Sequence, residues 1–249
     1  MARKSAWHDD YWLLLLQAYL RKPVGVKPLY NREMVDLSLE LHIAPQELRA
    51  RMTQIAKLQT PRLERIWQNY GNSPIRLKRA VRLLRSMKGF GDADAFYDGV
   101  EVQETFEKDF RPIGQPTAGG TRYAALNAQH AALEQVLTPV MLIIVLNLYF
   151  QLTPSTMVSE TPEVQQTARL LRLKTGDVVE LLTVFQCCDP YLHRTDVVFS
   201  PLLVPCQEVW QRFADDPKGL ATLADELQVY FKSQNNEIVK SGRRNQIVK

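Results

Sequence analysis

Cations are concentrated on one stretch of this 249-residue chain. Residues 75–88 read IRLKRAVRLLRSMK and place Arg76, Lys78, Arg79, Arg82, Arg85 and Lys88 around an apolar stripe of Leu77, Val81 and Leu84. Apolar residues spaced by three and four turn one helical face toward a core and leave the cations on the other. Lysine and arginine gathered in this way neutralise phosphates and release their counterions. Two other uses compete with that chemistry. One is a plain solvated face, since both residues are good helix formers; the other is pairing with an acidic protein surface, including the acidic half of this same chain.

Residue types suited to covalent or metal chemistry are present but badly spaced. Cys187, Cys188 and Cys206 have no metal-ligand spacing, and His8, His42, His130 and His193 are scattered. Free cysteine is among the most buried residue types, so the three thiols are expected in the core. Asp92, Asp94, Asp98 and Glu101 lack the glycine and the closing glutamate of a calcium loop. No phosphate-cradling glycine loop, nucleophile elbow or paired histidine and carboxylate on one helical face occurs. The expectation is a protein that is not an enzyme and that needs no metal or cofactor.

Upstream of the cationic stretch, residues 36–55 read DLSLELHIAPQELRARMTQI. Ser38 is a small residue on an inner helical face, His42 stands at a turn, Ile43 follows as an apolar residue, and Leu48 and Met52 line a second helix. This segment resembles the helix-turn-helix of bacterial transcription regulators. The resemblance implies a second helix that presents short polar or basic side chains to base edges in the major groove. With Leu48, Met52 and Ile55 inward, the outward face carries Gln46, Arg49, Ala50 and Thr53. Gln46, Arg49 and Thr53 are therefore the candidate base-facing residues, and Lys78, Arg79, Arg82 and Arg85 the candidate phosphate contacts. Glycine is usual at the turn of that family because positive φ is costly for other residues; here the position is His42, and no hairpin follows to form a wing.

Both stretches belong to a pattern that occurs twice. Trp67, Gln68, Tyr70, Pro74 and Leu77 recur as Trp210, Gln211, Phe213, Pro217 and Leu220, each 143 positions later. Residues 33–48 align with 163–178 at a shift of 130, as does Tyr19 with Tyr149, so the second copy gains 13 residues near HRTDVVFSPLLVPC. A repeat of roughly 80 to 95 residues exceeds solenoid periods. The expected fold is all-α and internally duplicated, with two repeats of about five helices each.

Residues 12–20 and 140–150 are apolar almost all round and should be the central helix of each repeat. Thr60 with Pro61, Thr138 with Pro139, Thr161 with Pro162 and Asp189 with Pro190 mark helix starts or breaks, the hydroxyls serving as caps. Trp67 and Trp210 are expected core anchors. Residues 112–121 (PIGQPTAGGT) read as a linker, and 96–110 as a short strand or extended arm. The expected division is a basic repeat at 1–90, an acidic connector and linker at 91–122, an acidic repeat at 123–232, and a polar tail at 233–249 without fixed structure unless a partner orders it.

A formal net charge of +4 conceals the asymmetry between the repeats: residues 1–90 carry 17 Lys+Arg against 7 Asp+Glu, whereas 126–231 carry 6 against 12. At the shift of 143 the six cations of 75–88 become Gly219, Ala221, Thr222, Asp225, Gln228 and Phe231. Duplicates share packing demands, so a charge held by one copy alone is not required by the fold. Composition, 45% hydrophobic and 23% charged, is that of a globular protein. The longest apolar stretch, 139–152, is shorter than the roughly 20 residues of a membrane span, and two aspartates precede the leucines at 13–16, unlike a secretory signal. A cytoplasmic protein without membrane contact is expected. Its expected function is non-enzymatic nucleic-acid binding through the basic first repeat, with transcription regulation as the specific form. The alternative is a helical-repeat protein-interaction or scaffold module whose partner is an acidic protein or a second copy.

Overall fold

The computed structural model describes residues 7–87, 90, 104–114, 132–192 and 200–246. Lys88, the acidic residues 92–101 with Val100 and Val102, His130 and His193 lie outside the described residues, as do linker residues 115–121 and residues 193–199 of the insertion. The described residues are mostly helical, with no strand among them. Contacts divide the chain into two units, Met1–Glu107 and Lys108–Lys249.

The first unit runs α1 (Tyr11–Leu20), α2 (Arg32–Leu41), α3 (Pro45–Ala56), α4 (Pro61–Ile66), a π-helical turn (Trp67–Gly71) and α5 (Pro74–Arg85). Apolar on nearly every side, α1 buries Tyr11, Trp12, Leu14, Leu15, Leu16 and Ala18, and α3, α4 and α5 pack on it. Each large side chain so enclosed contributes about 1.5–3 kcal/mol of transfer free energy. The Asn31 side chain caps α2 by accepting from the Glu33 amide at 2.9 Å. The helix ends at His42, whose φ of 54° and ψ of 33° are left-handed, and the amides of His42 and Ile43 both donate to the Ser38 carbonyl. Pro45 then opens α3 in the first turn, where its missing N–H costs nothing. Ahead of α4, the Thr60 hydroxyl accepts from the Leu63 amide at 3.3 Å.

A short helix, α6 (Glu104–Asp109), stands where a strand or extended arm was expected. Its Glu107 is buried in the first unit against His42, at 2.7 Å.

The second unit is built on α7 (Pro139–Gln151), buried from Val140 through Tyr149. Around it pack α8 (Pro162–Leu171), α9 (Thr175–Cys188), α10 (Leu203–Phe213) and α11 (Pro217–Gln246). The chain leaves α8 through Arg172 at φ 59° and ψ 36°, with the Arg172 and Leu173 amides donating to the Ala168 carbonyl. Helices begin at Pro139 and Pro162, but the preceding threonines do not cap them. The Thr161 hydroxyl instead donates to the Thr156 carbonyl, and that of Thr138 is buried without a partner. Proline at the first helical position does not account for this, because a cap accepts from the second or third amide and Thr60 caps α4 ahead of Pro61.

Residues 108–114, expected in the connector, pack within the second unit. Asp109 holds Arg212 by two bonds of 2.7 and 2.8 Å, and the Ile113 and Gly114 amides donate to the Leu137 and Glu134 carbonyls. The segment from 233 onward, expected to lack fixed structure, is helical to Gln246. Buried Leu227 and Phe231 anchor α11, the Asn235 side chain donates to the Leu170 carbonyl at 3.0 Å, and no proline follows to break the helix. Of the three thiols only Cys206 is fully buried; Cys187 and Cys188 are half-buried.

Candidate nucleic-acid interface

The outward face of α3 follows from what its other face buries. Leu48, Met52 and Ile55 face the core, which leaves Gln46, Arg49 and Ala50 exposed and Thr53 half-buried. The Thr53 hydroxyl donates back to the Arg49 carbonyl at 3.0 Å, and the Gln46 amide reaches the Tyr30 hydroxyl only at 3.5 Å. Gln46, Ala50 and Thr53 form a row that continues to exposed Lys57, a cation the sequence reading passed over although it stands four residues after Thr53. Arg51 plays a different part. Its guanidinium lies 4.0 Å from the centre of the Trp7 ring and 2.7 Å from the Glu47 carboxylate, which braces α3 from inside the unit.

On α5 the stripe of Leu77, Val81 and Leu84 is buried, and Arg76, Lys78, Arg79, Arg82 and Arg85 are exposed. Arg85 separates from the others, because Glu40 of α2 takes its guanidinium in two bonds of 2.6 and 2.7 Å. Arg76, Lys78, Arg79 and Arg82 form no salt bridge with a described residue, and neither do Arg49 and Lys57. The first turn of α5 holds no acidic residue, the Ser73 side chain does not cap it, and Arg76 sits within it. A cation there opposes the helix dipole by about 0.3–1 kcal/mol, so local folding does not call for it. Open amides beside a guanidinium favour an anion. Both α3 and α5 pack on α1, and the candidate residues occupy two helix faces, polar on α3 and cationic on α5.

The second unit carries a similar apolar spacing without those cations. Leu220, Ala224 and Leu227 of α11 are buried, 143 positions after Leu77, Val81 and Leu84. The positions that are cationic on α5 are here Gly219, Ala221, Thr222, Asp225 and Gln228. On α9 the residues aligned with Gln46, Arg49, Ala50 and Thr53 are Gly176, Val179, Glu180 and Thr183, and Thr183 donates to the Val179 carbonyl at 2.9 Å just as Thr53 does to Arg49. Tyr19 meets Trp67 at 6.0 Å and 74°, while Tyr149 meets Trp210 at 5.7 Å and 72°. Both tryptophans are half-buried at the margin of their cores rather than enclosed by them.

No family model matches the chain, and no curated protein or solved structure matches it. The candidate site therefore stands on its own geometry.

Three reactive side chains of the second unit are held toward their neutral forms. Burial pushes the Cys188 thiol up to about 12 and that of Cys206 well above its ordinary value. Burial also raises Tyr149, whose hydroxyl donates to Asp189 at 2.7 Å. A thiol kept protonated is a poor nucleophile. Among the described residues no group of three histidine, cysteine or carboxylate side chains is placed to hold a metal, and no helix is long and apolar enough to cross a membrane.

Proposed function

We propose that the protein binds nucleic acid without catalysing a reaction, through α3 and α5 of its first unit, in the manner of a transcription regulator. The observation that carries this reading is the set of four cations on α5 with no salt bridge among the described residues, absent from the aligned positions of α11 although the buried stripe is common to both. Lys78, Arg79 and Arg82, joined by Arg76, neutralise phosphates; Gln46 and Arg49 face base edges, with Thr53 beside them at the groove. Arg85 adds to the field but is committed to Glu40.

The two units are, on this reading, copies of one ancestral helical domain. Support comes from the left-handed turns at His42 and Arg172, the two tyrosine–tryptophan pairs, and α8 beginning and ending 130 positions after α2. The acidic second copy would then serve dimerisation, regulation or occlusion.

Fluorescence anisotropy with labelled duplex and single-stranded oligonucleotides tests the reading. Binding at about 50 mM salt should weaken with a log-log slope near −0.9 per phosphate contacted, hence about −3 to −4 for four cations. Replacing Lys78, Arg79 and Arg82 by alanine should weaken all sequences alike, whereas Gln46→Ala or Arg49→Ala should cost about 1–3 kcal/mol of sequence discrimination. Absence of binding to either form at about 50 mM salt overturns the proposal.

A further inference from the structure

Phosphate binding leaves part of α5 unexplained. Ile75, Leu83 and Met87, on α5 and just past its end, are 84%, 60% and 55% exposed. With Arg79 they stand at positions 75, 79, 83 and 87; the first three make a ridge about 12 Å long on α5, and Met87 follows just past the helix end. Arg76 flanks the ridge on one side, and Lys78 and Arg82 on the other, all without a salt bridge among the described residues. The aligned row of α11 is Lys218, Thr222, Glu226 and Tyr230, polar but for a tyrosine that packs edge-on against Phe110 of its own unit. The apolar ridge, like the cations, belongs to the first unit alone.

We propose that this ridge docks an amphipathic α-helix of a protein partner, one whose apolar stripe is bordered by aspartate or glutamate. Every-fourth-residue ridges fit the grooves of a second helix, and methionine and arginine are enriched at protein interfaces. A phosphate backbone offers nothing for Ile75, Leu83 and Met87 to contact. A bilayer asks for a broad apolar face, whereas this ridge is one residue wide and carries Arg79 within it. The acidic borders of the partner helix meet Arg76 on one flank and Lys78 and Arg82 on the other. Docking stands without the nucleic-acid reading; if that reading also holds, the two ligands share cations and exclude one another, so the acidic helix regulates nucleic-acid binding.

The test uses the full chain and a fluorescein-labelled synthetic peptide of about three heptads, leucine at a and d and glutamate at e and g. Controls are a scrambled peptide of identical composition, a duplex oligonucleotide, and vesicles of phosphatidylcholine and phosphatidylserine. The expected result is binding of the amphipathic peptide at least about tenfold tighter than the scrambled one. That preference should vanish in the triple variant Ile75→Ser, Leu83→Ser, Met87→Ser, with helix content by circular dichroism and duplex affinity unchanged. Equal affinity for both peptides, or a triple variant that keeps the preference, overturns the proposal. It is also overturned if the triple substitution abolishes vesicle binding, or abolishes self-association seen in sedimentation velocity, because the ridge then belongs to lipid or to a second copy. Peptide preference without duplex binding at any salt leaves the ridge assigned and removes the nucleic-acid reading.

Discussion

His42 and Arg172 occupy backbone conformations that favour glycine, at a cost of about 1–2 kcal/mol for each side chain. In both cases the side chain has a use. His42 Nδ1 lies 2.7 Å from the buried Glu107 carboxylate, and Arg172 Nε donates to Asn235 at 2.7 Å. His42→Gly should therefore lower stability by about 2 kcal/mol, because relief at the turn offsets only part of the loss of the imidazole partner from a buried carboxylate. Arg172→Gly loses only a neutral partner and should stay within about 1 kcal/mol of wild type. Urea denaturation of the two variants checks the contrast, and equal losses would show that the turn itself sets the cost. Ser38 offers a simpler case. Its hydroxyl is wholly buried without a partner, and Ala168 stands at the aligned position. Ser38→Ala should stabilise by about 1 kcal/mol; a fall in midpoint would mean that the hydroxyl is satisfied after all.

At the scale of elements, α7, α9 and α10 enclose groups that titrate late. Burial raises Cys188 from 9.0 to about 12, and raises Cys206 and Tyr149 as well. The unfolded chain therefore releases these protons at lower pH than the folded one, so it binds fewer protons above about pH 9 and stability falls as pH rises. For Cys188 the loss is complete near 12. Urea midpoints should decline between about pH 8 and 11, and less steeply in Cys188→Ala and Cys206→Ala. A slope unchanged in both variants would place the titration elsewhere. The elements themselves were well marked in the sequence. Prolines 45, 61, 74, 139, 162 and 217 each open a helix, because a missing donor and a fixed φ act locally. Capping was less legible: Thr60 caps and Thr138 does not, a difference set by the surroundings rather than by residue type. Beyond Ser233, α11 is tied to the unit by Asn235, which donates to the Leu170 carbonyl, a contact that no local pattern encodes.

For the whole molecule, the location of charge should matter more than its sum. Arg79→Glu and Lys218→Glu each take the formal net charge from +4 to +2. Under the proposed function Arg79→Glu should weaken oligonucleotide binding at least about tenfold, while Lys218→Glu should leave it within about twofold. Anisotropy titrations at one salt concentration decide this, and equal losses would reduce the effect to net charge. The cationic face of α5 could be read from residue spacing, but which of its cations pair with another described residue could not. Glu40 claims Arg85 across 45 positions and Trp7 claims Arg51 across the fold, pairings created only when helices meet. The turn residues carry one more consequence, for the order of assembly. Each corner is made by neighbours, yet its side chain closes on a partner 65 positions away at His42 and 63 at Arg172. Closures of that span are slow compared with a helical turn. Both corners should thus form before the long-range side-chain contacts that fasten them.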